Sequence, residues 1–265
     1  MWEIRKMDIN KLYLYQACSA NDDKNQHLWV DGAALFIPQT NSLLKCMGYK
    51  QTIINIDEFL LPPLQTGEVK TLGDILSTYG SDKSNTVSPK LNDYHIFYSY
   101  VFNKLGKHSE LTVLEVGLGT NNPDLVSTMG VNGKPGASIK AFRDYLPNSR
   151  IYGSDIDKDI LFKEDRIDTC YVDQMDIESF KHLHNSFGNI EYDVIIDDGL
   201  HSIAANFNTL LFAIDNIAKN GWIIIEDIHL FENYKCIDFI LSTDDRFETM
   251  MIKAKGAYMY AVHRC

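Results

Sequence analysis

At 265 residues the chain is long enough for one large α/β domain and a small appendage. Its 45% hydrophobic and 23% charged residues are ordinary for a globular protein. No stretch approaches the roughly 20 apolar residues of a membrane span, and a formal charge of −11 would repel a phosphate backbone, so membrane and nucleic-acid partners are set aside.

The opening Met1-Trp2-Glu3-Ile4-Arg5-Lys6-Met7 lacks the apolar core of a secretory signal, which makes the cytoplasm the expected location. Cys18, Cys46, Cys170, Cys236 and Cys265 are scattered, with no CxxC pair, and read as free thiols. Residues 1–65 read as an irregular, strand-leaning appendage and a plausible subunit contact. It has short strands at Leu28-Trp29-Val30 and Gln51 to Ile56, and a chain break at Leu61-Pro62-Pro63.

From residue 66 onward one domain is expected. Thr71 to Tyr79 has the spacing of a helix that ends at Gly80, and Asn92 to Leu105 that of a second helix. Tyr94, Phe97, Tyr98, Tyr100 and Phe102 give that second helix an aromatic face, read as core. Then strands and helices alternate: Thr112 to Val116, helix Ala137 to Tyr145, Arg150 to Gly153, Cys170 to Val172, helix Ile177 to Phe187, Tyr192 to Ile196, helix Ser202 to Ala218, Trp222 to Ile225. The strands lack polar alternation, as strands covered on both faces do. Phe247 to Ile252 and Ala257 to Val262 read as an antiparallel hairpin. The expected fold is therefore a doubly wound, mostly parallel seven-stranded α/β sheet of the Rossmann-like kind, closed by that hairpin.

Ligands of such sheets sit beyond the carboxyl ends of the strands. Those ends are Gly117-Leu118-Gly119, Asp155, Asp173, Asp197-Asp198 and Glu226-Asp227. A glycine turn after the first strand lets backbone approach a nucleotide-like ligand. A dinucleotide site would want a third glycine where Asn122 stands, a helix at once, and an acid about 20 residues on; all three are missing. S-adenosylmethionine fits better. Its ribose diol suits Asp155, its adenine amino group suits an acceptor at Asp173-Gln174, and its carboxylate suits the helix start at Gly136-Ala137-Ser138.

Glu115-Val116-Gly117-Leu118-Gly119 resembles motif I of the class I S-adenosylmethionine-dependent methyltransferases. More narrowly, residues 72–230 resemble the metal-dependent sugar O-methyltransferases of macrolide tailoring and of bacterial surface-polysaccharide clusters. The matching text is Tyr79-Gly80-Ser81-Asp82-Lys83, Gly136-Ala137-Ser138-Ile139, Tyr152-Gly153-Ser154-Asp155-Ile156-Asp157, Asp173-Gln174-Met175-Asp176, Ile195-Ile196-Asp197-Asp198-Gly199-Leu200-His201 and Ile225-Glu226-Asp227. Leu200 stands where that family usually has serine, and the loop Gly119 to Pro135 is longer than usual.

The resemblance implies that Glu115, Gly117, Gly119, Ser138, Asp155, Ile156, Asp173, Gln174, Met175 and Asp197 surround the methyl donor. It implies that Asp198, Glu226 and Asp227 hold a divalent metal, expected to be Mg²⁺, and that His201 is the general base. Chemistry argues the same way. A sugar hydroxyl is a poor nucleophile at neutral pH, so its attack gains from proton removal and from a cation that fixes its oxygen. The implied acceptor is a sugar-like small molecule of capsular, surface-polysaccharide or natural-product biosynthesis. A phosphate-derived acceptor such as a capsular phosphoramidate remains open, as does an NAD-dependent oxidoreductase or a non-catalytic binding protein on a similar sheet.

Overall fold

The computed structural model describes residues 38–60, 66–86 and 92–265. The sheet-bearing unit is Thr52–His229 with Leu241–Cys265. Its strands are β1 (Ile53–Asn55), β2 (Thr112–Val116), β3 (Arg150–Asp155), β4 (Lys163–Glu164), β5 (Ile167–Tyr171), β6 (Tyr192–Asp197), β7 (Ile217–Ile228), β8 (Phe247–Lys253) and β9 (Tyr258–Arg264). They form one sheet in the order β1-β8-β9-β7-β6-β2-β3-β5-β4. Strands β5, β3, β2, β6 and β7 run parallel, and β9 lies antiparallel between β7 and β8. The expected seven strands are thus present, with β1 and β4 added at the two edges. Two-residue β4 carries no readable pattern, and β1 falls inside the stretch read as appendage. Because β1 pairs with β8, the sheet unit begins at Thr52 rather than at residue 66.

Apolar runs become buried strands here because helices supply cover on both sides. Val113, Ile151, Val194, Ile196, Trp222 and Ile224 share a core with residues of α1 (Thr66–Tyr79), α2 (His95–Leu105) and α3 (Ala137–Tyr145). Phe97 meets Trp222 at 5.7 Å and Phe102 meets Phe142 at 5.4 Å, both edge to face. On the opposite face α4 (Ile177–Ser186) and α5 (Ile203–Asn216) bring Phe180 and Phe212 together, and Phe212 packs near Tyr192 of β6. Asp176 and Ser202 cap α4 and α5 by accepting from backbone N–H groups, which fixes both helix starts. Helix α1 begins earlier than its apolar spacing indicated, at Thr66.

Chain order runs from β2 outward through β3 and β5, then returns to β6 on the other side of β2. That reversal opens a crevice past the tips of β2 and β6. In the second unit, which contains residues 38–51 and Leu230–Ile240, residues 38–46 are helical. There the Tyr49 hydroxyl donates to Asp238 of α6 (Lys235–Ser242), and its ring meets Phe239 edge-on at 5.2 Å. Leu28-Trp29-Val30, Leu61-Pro62-Pro63 and Cys18 lie outside the described residues. Cys46, Cys170, Cys236 and Cys265 are free thiols. Among the described residues no helix is long and apolar enough to cross a membrane.

Candidate active site

The crevice is a cavity of about 640 Å³, walled by the loops after β2, β3, β5 and β6 and by residues 80–83. Its size is that of a small-molecule site. Gly117 and Gly119 line it with φ of +97° and +77°. A Cβ at Gly117 would stand 2.2 Å from the Asp198 carbonyl oxygen, so only glycine lets the β2 and β6 tips approach this closely. After Gly119 the chain runs through a loop to α3 instead of entering a helix at Asn122. The α3 start at Gly136 has no side-chain cap, and Ser138 of its first turn lines the cavity. It is suited to an anionic group.

Asp155, Ile156, Asp173, Gln174 and Met175 also line the cavity. Asp155 already has partners: Oδ2 accepts from the N–H groups of Leu118 (2.7 Å) and Gly119 (3.2 Å), and Oδ1 from that of Asp157 (2.9 Å). Burial raises its pKa against the lowering effect of these bonds. In this geometry it shapes the glycine loop. Gln174 donates to Asp197 (2.8 Å) and Thr209 (2.9 Å) and accepts from Leu200 N–H (2.7 Å), so its side chain ties the β5 and β6 loops together. Asp197, expected at the donor, is fully buried away from the cavity wall, where it accepts from Gln174 and Asn206. Glu115 is likewise buried behind the wall and accepts from the Ser138 hydroxyl at 2.5 Å.

At the other end lie Asp198, His201 and Asp227, which offer one ligand atom each within 4.8 Å of one another. His201 Nε2 is 3.8 Å from Asp227 Oδ2. Both residues have positive φ, +53° and +54°, a conformation costly for non-glycine residues and concentrated at functional sites. Asp227 sits with Glu226 in a bulge of β7, where the register with β9 shifts between Ile225 and Ile228. Glu226, expected as a third ligand, stands outside this group: its carboxylate accepts from the Tyr98 hydroxyl and from Lys83 Nζ at 2.5 Å.

Three participants escaped the sequence reading. Lys83, 1% exposed, inserts its ammonium among Asp198 (2.5 Å), Glu226 (2.5 Å) and Glu115 (3.3 Å). Burial pulls its pKa down, but these carboxylates more than reverse that and hold it well above the usual lysine range. Tyr98 and Tyr94, read as core, do pack there, yet their hydroxyls reach Glu226 and Asp227, the latter at 2.5 Å. Tyr94 immediately precedes α2 in helical conformation, so its spacing of four from Tyr98 puts both hydroxyls on one side. The only signals were the Tyr-Gly-Ser-Asp-Lys text and the polar ends of two aromatics.

Burial pushes the acids up: Glu115 to about 7, Glu226 well above its ordinary value, and Asp198 upward, each partly offset by Lys83. Three carboxylates around one ammonium, with Asp227 beside Asp198, leave a formal excess of negative charge. Asp198 and Asp227 converge on the crevice with oxygen ligands that fit a hard divalent cation, and His201 stands beside them.

With this geometry in place, the chain can be set beside known proteins. Its resemblance to 8-demethyl-8-(2-methoxy-alpha-L-rhamnosyl)-tetracenomycin-C 3'-O-methyltransferase of Streptomyces olivaceus is 32% identity over 164 residues, 59% of this chain and 36% of the relative. Mycinamicin VI 2''-O-methyltransferase of Micromonospora griseorubida is 28% identical over 191 residues, 68% of this chain and 43% of that one. MycE methyltransferase from the mycinamycin biosynthetic pathway, solved in complex with Mg, SAH and mycinamycin VI, superposes with a TM-score of 0.56. That match has 21% identity and covers 73% of this chain and 54% of that one. The fold is a methyltransferase fold. The chain spans less than half the length of these curated relatives, both of them O-methyltransferases, in keeping with the motif resemblance. No protein-family profile matches it.

Proposed function

We propose that the protein transfers a methyl group from S-adenosylmethionine to a hydroxyl oxygen of a sugar-like small molecule, with His201 as general base beside a divalent cation. The observation that carries this reading is one cavity that joins the Gly117–Gly119 turn, Asp155 and the α3 start to Asp198, His201 and Asp227. A binding protein has no use for the second group, and a dinucleotide site would lack the long loop after Gly119.

Each residue has a task in this reading. The glycine turn and the uncapped α3 start take the donor's methionine end, and the β3 and β5 tips take its nucleoside. Asp198 and Asp227 would hold the cation, with Glu226 behind them as the anchor of Lys83. When bound, the donor would supply an electrophilic methyl, and the cation would lower the pKa of the acceptor hydroxyl. His201 would take the hydroxyl proton as the acceptor oxygen attacks the methyl carbon, the carbon–sulfur electron pair leaving with the sulfur. The acceptor class follows the tetracenomycin O-methyltransferase relative, whose name specifies a rhamnosyl-bearing substrate. A cytoplasmic capsular or other surface-polysaccharide precursor, or a glycosylated natural product, fits it.

The test is calorimetric titration with S-adenosylhomocysteine, followed by transfer of a labelled methyl group to a panel of free, nucleotide-linked and phosphorylated sugars with Mg²⁺ or excess chelator. Saturable donor binding and chelator-sensitive labelling of a hydroxyl are expected. Absence of donor binding, or affinity for NAD in its place, overturns the reading.

A further inference from the structure

A lysine ammonium is a compact, strongly hydrated charge, and taking it wholly out of water demands compensation from its surroundings. Lys83 receives that compensation in the form a metal ion would. Three carboxylate oxygens face Nζ, from Asp198 and Glu226 at 2.5 Å and Glu115 at 3.3 Å. They come from the tips of three adjacent strands, β2, β6 and β7. Hydrogen bonds from the Tyr98 hydroxyl to Glu226 and from Ser138 to Glu115 steady the outer oxygens of this shell. Glu115 Oε1 is buried with no hydrogen-bond partner, aimed at the ammonium. Immediately beside it, Asp198 also belongs to the group with His201 and Asp227. One carboxylate therefore borders two cation positions, the arrangement that bridges neighbouring ions in two-metal sites.

We propose that Lys83 is a built-in surrogate for a second cation: the cluster is a two-cation arrangement in which an ammonium permanently takes the inner place and a divalent ion the outer one. The inference rests on the metal-assisted reading above. It gives Lys83 a definite role as a positioning residue. An ammonium tethered to the chain cannot dissociate or be chelated, so Asp198 and Glu226 keep their orientation whether or not an ion is present. Its single charge also leaves the cluster negative enough to draw a divalent cation to Asp198 and Asp227.

The experiment uses Mn²⁺ as probe with the full chain, its Lys83→Ala variant and its Lys83→Arg variant. Equilibrium dialysis with elemental analysis counts bound ions, and electron paramagnetic resonance detects exchange coupling between neighbouring ions. The wild type and Lys83→Arg are expected to bind one Mn²⁺ per chain. Lys83→Ala is expected to bind two, with a coupled spectrum. Its melting temperature should fall in chelator and recover with Mn²⁺ by more than the wild-type shift. One ion in both wild type and Lys83→Ala overturns this inference alone. A Lys83→Ala protein that stays unfolded in saturating Mn²⁺ overturns it too, because a divalent ion then fails to replace the ammonium. No ion bound to the wild type overturns the metal reading beneath it.

Discussion

At the β3 end of the crevice Asp155 gives both carboxylate oxygens to backbone amides of Leu118, Gly119 and Asp157. At the β7 end Glu226 and Asp227 are held by the side chains of Lys83, Tyr98 and Tyr94. Both ends present acids at strand tips, yet the first kind shapes a loop while the second kind concentrates charge. A carboxylate engaged by neutral amides needs no cation. Several carboxylates that share one ammonium, in a site where burial raises their pKa values, do. The position of an acid in a parallel sheet therefore gives its address, and its partners give its job.

Substitutions at the two ends should part in the same way. His201→Ala is expected to lower turnover about 10²–10⁴-fold while leaving S-adenosylhomocysteine affinity unchanged, measured by steady-state kinetics and calorimetry. Lost donor affinity instead would move His201 to the donor end. Asp197→Ala strands the amide donors of Gln174 and Asn206 inside the protein and should cost about 2–3 kcal/mol of stability in denaturant unfolding. An effect confined to activity would return Asp197 to the donor site. Asp155→Ala should weaken donor binding about tenfold, roughly one hydrogen bond's net worth, through a loosened glycine turn. Unaltered binding would show the turn to be held by Gly117 and Gly119 alone. Tyr94→Phe, which removes one hydroxyl from Asp227, should cost about 1 kcal/mol in thermal unfolding. A drop in Mn²⁺ affinity without that cost would mean the phenol orients the ligand rather than stabilising the fold.

Much of the framework was readable in the sequence because β2, β3, β6 and β7 are covered on both faces, which writes them as apolar runs ending in glycine or acid. Ala137–Tyr145 and Thr112–Val116 coincide with the structure residue for residue. What failed to show was pairing across distance. Lys83 lies far from Asp198 and Glu226 in the chain, and an isolated lysine near a helix end reads as solvated. Tyr94 and Tyr98 carry the same aromatic pattern as Phe97 and Phe102, so nothing in their spacing separates a phenol on an acid from a ring in the core. The internal partners of Gln174 and Asp197, Thr209 and Asn206, sit a helix away in α5, so the spacing gave no sign of them. The edge strands β1 and β4 are too short for a period to emerge.

The bulge in β7 sets a constraint of its own. Between Ile225 and Ile228 the strand takes three steps while β9 takes two, from Tyr260 to Tyr258. In a regular strand consecutive side chains fall on opposite faces, but here Glu226 and Asp227 both meet tyrosine hydroxyls at the start of α2, from Tyr98 and from Tyr94 just before it. The spare residue cancels the odd–even parity of the pleat. The interval holds only Glu226 and Asp227, so excising a single residue there to restore parity would delete one of the two acids outright. Half of the acid pair at this strand tip thus depends on how many residues the backbone has, a property that no side-chain substitution can supply.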